Sequence, residues 1–397
     1  MTPLPFLLDC SIQRYAWGSV TALAALQGRE PDGQPEAEMW IGAHPHAPSR
    51  DRLSGVALDS LIGDDPAQTL GEASRAAFGD SLPFLLKVLA AGAPLSLQAH
   101  PSRAQAIAGF EAEERAGVSI NDPTRVFKDR NHKPELICAL TDFEAVCGFR
   151  PVERTAALFE ALATPTTVGM AARLRTEHPA SALRFIVGDL LSSDATRAQR
   201  VVTEVISACS QHNGGWSGEA DLAVRLNAAY PGDVGAIISL LLNRVVLRPG
   251  EALMLGAGNL HAYICGVGVE LMANSDNVLR GGLTPKHVDV KGLLEVVDWK
   301  PLADPVVTAT GEPGLLSFPS PSDEFRLDVI DPASCGGDPL VVGGPELLWC
   351  HTGQVEIKTA NAAITVNGGD AVFVPAAAGS YQVSGTGQVF RATVGRT

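Results

Sequence analysis

The sequence holds little that would staple a fold or anchor it from outside. Its seven cysteines (Cys10, Cys138, Cys147, Cys209, Cys265, Cys335, Cys350) are scattered and odd in number. No Cys-x-x-Cys pair occurs, so neither a disulfide framework nor a thiolate zinc site is expected, and the thiols read as buried and reduced. No apolar run reaches the ~20 residues of a membrane span. The richest, Ile237–Leu242 followed by Val245–Leu247, is broken by Ser239, Asn243 and Arg244. Met1–Cys10 carries no basic leader. Basic residues are also scarce: 30 Lys and Arg against 44 Asp and Glu leave a net charge of −14. That field excludes general attraction to nucleic acid or anionic membrane, and an anionic substrate would need a local cluster of cations. A soluble cytoplasmic protein is expected.

What is present is a globular composition. Hydrophobic residues make up 46% of 397, enough for a substantial core without staples. At roughly 150 residues per domain the length suggests two or three domains. Between about Val152 and Leu242 apolar residues recur at helical spacing: Leu158, Phe159, Leu162; Leu183, Ile186, Leu190; Val201, Val202, Val205. The flanks read as strands, with pieces at Pro83–Leu89 and Leu95–His100. Ser102 and Gln105 make a capping box for a helix that stops at Arg115–Gly117, and a further helix is expected near Val288–Val297. The closing stretch Glu346–Val394 reads as short strands with turns at Thr352–Gly353, Asn367–Gly369 and Gly385–Gly387.

An internal repeat organises the strand-rich parts. Pro249–Leu255 (PGEALML) and Gly368–Val374 (GGDAVFV) match 119 residues apart, each a turn glycine and an acid before an apolar strand. This pattern is that of double-stranded β-helix modules of the cupin kind. The expected fold is mainly β with an α-helical insertion: two cupin-type barrels plus a helical domain. The divisions are 1–150 for the first part of one barrel, 151–243 for the helical insertion, 244–310 for the rest of that barrel and 311–397 for a second barrel. At the repeat offset His261 aligns with Ser380, so the second barrel is expected to hold no metal.

Four clusters can carry chemistry. In Leu95–Pro101 (LSLQAHP) strict alternation puts Ser96, Gln98 and His100 on one strand face, which can hold a metal from one side. Asp129–Glu135 (DRNHKPE) offers Glu135 as an oxygen ligand and His132 and Lys133 as proton carriers. Gly256–Tyr263 (GAGNLHAY) adds His261. Each alone reads equally as an edge strand, a charged loop or a core histidine. Together, neutral imidazoles with a carboxylate suit zinc, with iron or manganese also acceptable. Glu270–Lys286 concentrates Asp276, Arg280 and Lys286 beside Gly281–Gly282.

At this point the sequence resembles the type I phosphomannose isomerases. The likeness runs through Arg14–Gly18 (RYAWG), Ala37–Pro45 (AEMWIGAHP), Leu82–Leu89 (LPFLLKVL), LSLQAHP, Phe127–Glu135 (FKDRNHKPE) and His261–Lys286 (HAYICGVGVELMANSDNVLRGGLTPK). It departs only at flanks such as Ser19. The resemblance implies one zinc per chain on Gln98, His100, Glu135 and His261. It implies interconversion of mannose 6-phosphate and fructose 6-phosphate, Arg280 as a catalytic arginine, and His132, Lys133 and Asp276 around the sugar. Ser96, Lys87 and Lys286 are the expected substrate contacts. The partner is then a small sugar phosphate, the chain a monomer, with no nucleic acid or membrane. Two rivals stand beside this: a cupin metal oxygenase, disfavoured by Gln98 as an added ligand, and a non-catalytic sugar-binding double cupin, which would not need Lys133, Asp276 and Arg280.

Overall fold

In the computed structural model, which describes residues 4–320, 322–335 and 337–395, the strands gather into two large sheets. The first runs through Val306–Thr308, Glu251–Leu255, Glu135–Ala139, His261–Ala273, Phe84–Ala91, Glu38–Ile41 and Ser11–Gln13. The second is built on the two long strands Glu346–Lys358 and Ser380–Thr393, and its far side takes in Phe6–Asp9 from the start of the chain. Each strand path is open from edge to edge. The repeat segments become Glu251–Leu255 in the first sheet and Ala371–Val374 in the second.

Helix and strand take similar shares of the chain, so the fold is mixed rather than mainly β. Part of the difference lies in three short helices, Leu58–Asp64, Pro66–Leu70 and Glu72–Phe78. At five to seven residues each they show less than two turns of pattern, although Asp65 before Pro66 is a legible cap and accepts from the Gln68 amide. The long helices follow the periodicity: Val152–Leu162, Pro165–Thr176, Pro179–Leu191, Ala195–Gln211 and Ser217–Ala229. They fall between Phe143–Phe149 and Leu242–Leu247, two strands that pair directly with each other. The Ser102–Gln105 capping box forms and starts the helix Arg103–Arg115.

Two expected turns are absent. Glu346–Lys358 and Ser380–Thr393 run unbroken through Gly353 and Gly385–Gly387, with a bulge between Cys350 and Thr352. A Cβ on Gly387 would lie 1.9 Å from the Thr352 carbonyl oxygen. Glycine here admits close backbone approach within a ladder rather than a reversal.

The core explains how the site is held. Phe84, Leu86 and Val88 pack between the two sheets, while Leu85, Lys87 and Leu89, on the opposite face, line a cavity. On the neighbouring segment Leu97 and Ala99 enter the apolar core of the helices. Only Gln98–Ala99 of the expected Leu95–His100 strand is laddered, and the alternation holds from Leu97 on: Leu97 and Ala99 face the helices and Gln98 and His100 face away, whereas Leu95 packs with Tyr263 and Phe143 and lines the cavity.

Candidate active site and metal centre

The long strand His261–Ala273 serves two sets of partners. Its first residues pair with Gln98 and with Phe143–Phe149, and its later ones with Phe84–Ala91 and Glu135–Ala139. His261 lies opposite Gln98, and Gln98 opposite Arg280. Directly opposed residues share a face, so these three form one row. Glu135 enters from the other set, opposite Met272.

These placements bring the four expected ligands together. Nε2 of His100 and Nε2 of His261 lie 3.3 Å and 3.4 Å from Glu135 Oε2, and the Gln98 amide lies 3.4 Å from His261 Nε2. His100, Glu135 and His261 are each 1% exposed. His100 Nε2 and Glu135 Oε2 have no hydrogen-bond partner among the described residues. The opposite ring nitrogens give the reason. Nδ1 of His100 meets the Asn277 carbonyl at 2.8 Å, and Nδ1 of His261 meets the Asn259 carbonyl at 2.9 Å. A carbonyl only accepts, so each Nδ1 carries the proton and each Nε2 presents a lone pair. Lone pairs of two imidazoles and a carboxylate, aimed together in a buried site, repel unless a cation lies among them. The set fits a divalent metal, with the Gln98 amide turned to offer its oxygen.

The protonation states agree. Burial pushes the His100 imidazole down to about 4, so it is neutral at neutral pH. Burial would raise the Glu135 carboxyl, but the charge against it, the Lys133 ammonium included, holds it well below the usual carboxylate range. Lys133 Nζ occupies Glu135 Oε1 at 3.1 Å and leaves Oε2 free.

A second cluster has metal-like spacing but different hydrogen-bond logic. His44 Nε2 lies 3.5 Å and His46 Nδ1 3.2 Å from the two oxygens of Asp276. His44 Nδ1, however, faces the backbone N–H of His46 at 3.4 Å. An amide N–H only donates, so the His44 proton sits on Nε2 and points at Asp276. That contact is attractive as it stands and leaves no orphaned donor.

A cavity of about 940 Å³ opens over the four-residue centre, lined among others by Ser96, Gln98, Lys133, Glu135, Asp276, Arg280 and Lys286. Arg280 and Lys286 have no carboxylate at ion-pair distance among the described residues. Burial lowers both, and Arg280 lowers Lys286 further. Two cations without a carboxylate partner beside a cavity leave their charge available to it.

Two expectations change. His132 does not reach this cavity: its Nε2 lies 2.7 Å from Glu324 Oε1, and it lines a separate cleft with Arg103 and Ser322. Lys87 does line the cavity but is not a free cation. Its Nζ is 3.1 Å from Glu270 and 3.6 Å from Glu38. Burial would lower it, yet those carboxylates and Glu135 outweigh burial and raise it, keeping it charged and internally paired. Residues not singled out from the sequence also line the cavity: Glu38, Trp40, His44, Tyr263 and Glu270. Tyr263 donates to Glu270 at 3.1 Å. Glu38 and Trp40 stand two apart on the strand Glu38–Ile41, and an acid with an aromatic on one strand face was the available signal.

Comparison with known proteins gives the family. Residues 6–152 match the family model for the catalytic domain of type I phosphomannose isomerase. The mannose-6-phosphate isomerase of Escherichia coli (strain K12) is 37% identical over 96% of this chain and 97% of its own. Mannose-6-phosphate isomerase 1 of Arabidopsis thaliana is 34% identical over 93% and 89%. A zinc-bound crystal structure of mannose 6-phosphate isomerase superposes with a TM-score of 0.92 at 34% identity, covering 100% of both chains. With likeness spanning the whole length, the chain belongs to the type I phosphomannose isomerase family.

Proposed function

We propose that this protein is a zinc-dependent aldose–ketose isomerase interconverting D-mannose 6-phosphate and D-fructose 6-phosphate. The observation that carries the reading is the convergence of unpartnered His100 Nε2 and Glu135 Oε2 with His261 and Gln98, below a cavity bearing the unpaired cations Arg280 and Lys286. These four residues hold one zinc per chain. Zinc, when bound, supplies Lewis-acid polarisation of substrate oxygens.

The chain's own groups do the rest. Lys286 with Arg280 binds the phosphate, and Ser96 offers a hydroxyl to the sugar. Isomerisation removes a proton from C2 and returns one to C1, and the enediolate between them gains negative charge on its oxygens. Arg280, which stays cationic, stabilises that charge. Lys133 and Asp276 are the proton-carrying groups at the cavity, and both are oriented: Lys133 by Glu135, Asp276 by His44 and His46. With His132 held by Glu324 in a separate cleft, the proton transfer falls to Lys133 and Asp276. Lys87 contributes order rather than charge, locking Glu38 and Glu270 beneath Trp40.

The architecture we propose is two barrels of the cupin kind, 1–150 with 244–310 and then 311–397, with residues 151–243 as a helical insertion. The direct pairing of Phe143–Phe149 with Leu242–Leu247 supports the insertion, and the repeat strands, one in each sheet, support the barrels. All seven cysteines are free, which fits a reducing cytoplasm and a monomer without covalent links. Turnover of mannose 6-phosphate in a coupled assay, abolished by a chelator and restored by zinc, is the expected result. No turnover with zinc fully loaded would refute the reading, and oxygen uptake would favour an oxygenase.

A further inference from the structure

The loop between Arg280 and Lys286 is built under strain and is held from both sides. Leu283, fully buried, sits at φ 55°, a conformation costly for a branched side chain and kept only where surroundings enforce it. On one side the loop pairs with the metal-bearing segment: Gly281 N–H donates to the Leu97 carbonyl at 2.7 Å, and Leu97 N–H donates to the Gly282 carbonyl at 3.0 Å. On the other side it meets the helical block through one carboxylate. Asp233 Oδ1 accepts from the Gly235 amide at 2.7 Å, while Oδ2 accepts from the Thr284 amide at 3.2 Å. The Thr284 hydroxyl then accepts from the Lys286 amide at 3.1 Å. Backbones approach so closely here that a Cβ on Gly282 would lie 2.8 Å from Asp233 Oδ1 and 2.9 Å from Gly235 Cα.

We infer that Asp233 is a positioning residue for the phosphate site, through which the helical block sets the place of Lys286 beside Arg280. The two oxygens divide the work: one accepts from the Gly235 amide at the start of the short helix Gly235–Ile238, the other fixes Thr284 and hence the turn that presents Lys286. This inference rests on reading Arg280 and Lys286 as the phosphate grip. It also has a definite sign. A carboxylate near an anion site opposes the anion by its charge, so if charge alone mattered, removing it would tighten binding. If position matters, removing it weakens binding.

The decisive variant is Asp233→Asn, which keeps one oxygen for the Gly235 amide and loses the acceptor for Thr284. In the zinc-loaded enzyme, KM for mannose 6-phosphate and the inhibition constant of inorganic phosphate should rise together by roughly three- to tenfold, the scale of one lost hydrogen bond. The kcat should stay within about twofold, since phosphate contacts act alike in ground and transition states. Thr284→Ala breaks the same relay one step later, removing the hydroxyl that accepts from the Lys286 amide and leaving the Asp233–Gly235 contact alone. It should show the same paired rise, and it decides the matter if Asp233→Asn does not fold. A fall in either constant, or a loss of kcat with both unchanged, overturns the inference. So does Asp233→Asn behaving like wild type while Lys286→Ala raises both constants, which leaves the phosphate reading intact. If Lys286→Ala also leaves inorganic phosphate inhibition unchanged, the phosphate reading falls and the inference falls with it.

Discussion

Asn277 makes the sharpest structural test because a one-atom change reverses its hydrogen-bond chemistry. The side chain is fully buried. Its Nδ2 donates to the carbonyls of Asp129 and Asn131 at 2.9 Å and 2.8 Å and to Asp129 Oδ1 at 3.2 Å. Its Oδ1 accepts from the amides of Lys128 and Asp129 at 2.7 Å and 3.2 Å. Its own backbone carbonyl fixes the His100 tautomer. One amide therefore ties the segment bearing Lys133 and Glu135 to the segment bearing Asp276 and Arg280. Asn277→Asp keeps the shape and the Oδ1 acceptor but sets an oxygen against two carbonyls and a carboxylate. The new carboxyl is forced to protonate and then offers one donor where the amide offered two, while Ser275 Oγ still donates to the Asn131 carbonyl at 3.3 Å, so a loss of about 1–3 kcal/mol is expected, the cost of one polar group left unpaired. Loosening the His100 support should weaken zinc binding by about 10–100-fold, the usual effect of losing such a partner. Urea unfolding with and without chelator gives the first quantity, and competition against a zinc indicator gives the second. A variant within about 1 kcal/mol of wild type, binding zinc equally well, would refute the claim that this amide organises the site.

The remaining expectations are direct. His261→Ala should lose both bound zinc and activity, and full zinc content by elemental analysis would sink the ligand set. Wild type should carry one tightly bound zinc, still one after His46→Ala, because His44 directs its proton at Asp276; two ions per chain in wild type, falling to one in the variant, would contradict that tautomer. Arg280→Ala should retain zinc while kcat falls by about 10²–10³, the scale of a missing charge stabiliser; a near-normal kcat removes Arg280 from the chemistry. In the chelated protein His100 holds fewer protons when folded (about 4) than when unfolded (6.5). Stability should therefore be full above pH 6.5 and fall by up to about 3 kcal/mol as pH drops from 6.5 to 4. A flat stability profile across that window, or no loss of the slope in His100→Gln, counts against the buried neutral imidazole.

What the sequence made legible and what it hid divide along sequence separation. Gln98 and His100 stand on one face because alternation is local, and Leu97 and Ala99 confirm the face by entering the helical core. The helices after Val152 follow from their own 3.6-residue period, and the helix at Arg103 from a cap three residues wide. Glu135 and His261 arrive from other strands, but each carries its donor group wherever the strand goes, so ligand type was readable before ligand geometry. Whether a charge is free is a different kind of property. Lys87 looks like a phosphate contact until Glu270, 183 residues later, neutralises it, and His132 looks like a base until Glu324, 192 residues later, takes its Nε2. Glycine is ambiguous for the same reason: Gly353 and Gly387 suggest turns on their own, and only their pairing across the ladder shows that they relieve a backbone contact. Local pattern thus supplies candidates for a metal, whereas the cations and bases of a site are decided by subtraction, after every long-range partner has been assigned. Arg280 and Lys286 survive that subtraction and Lys87 and His132 do not, which is why the phosphate reading rests on the first pair; Lys133, paired to Glu135, and Asp276 are assigned the proton transfer because they line the cavity that His132 does not reach.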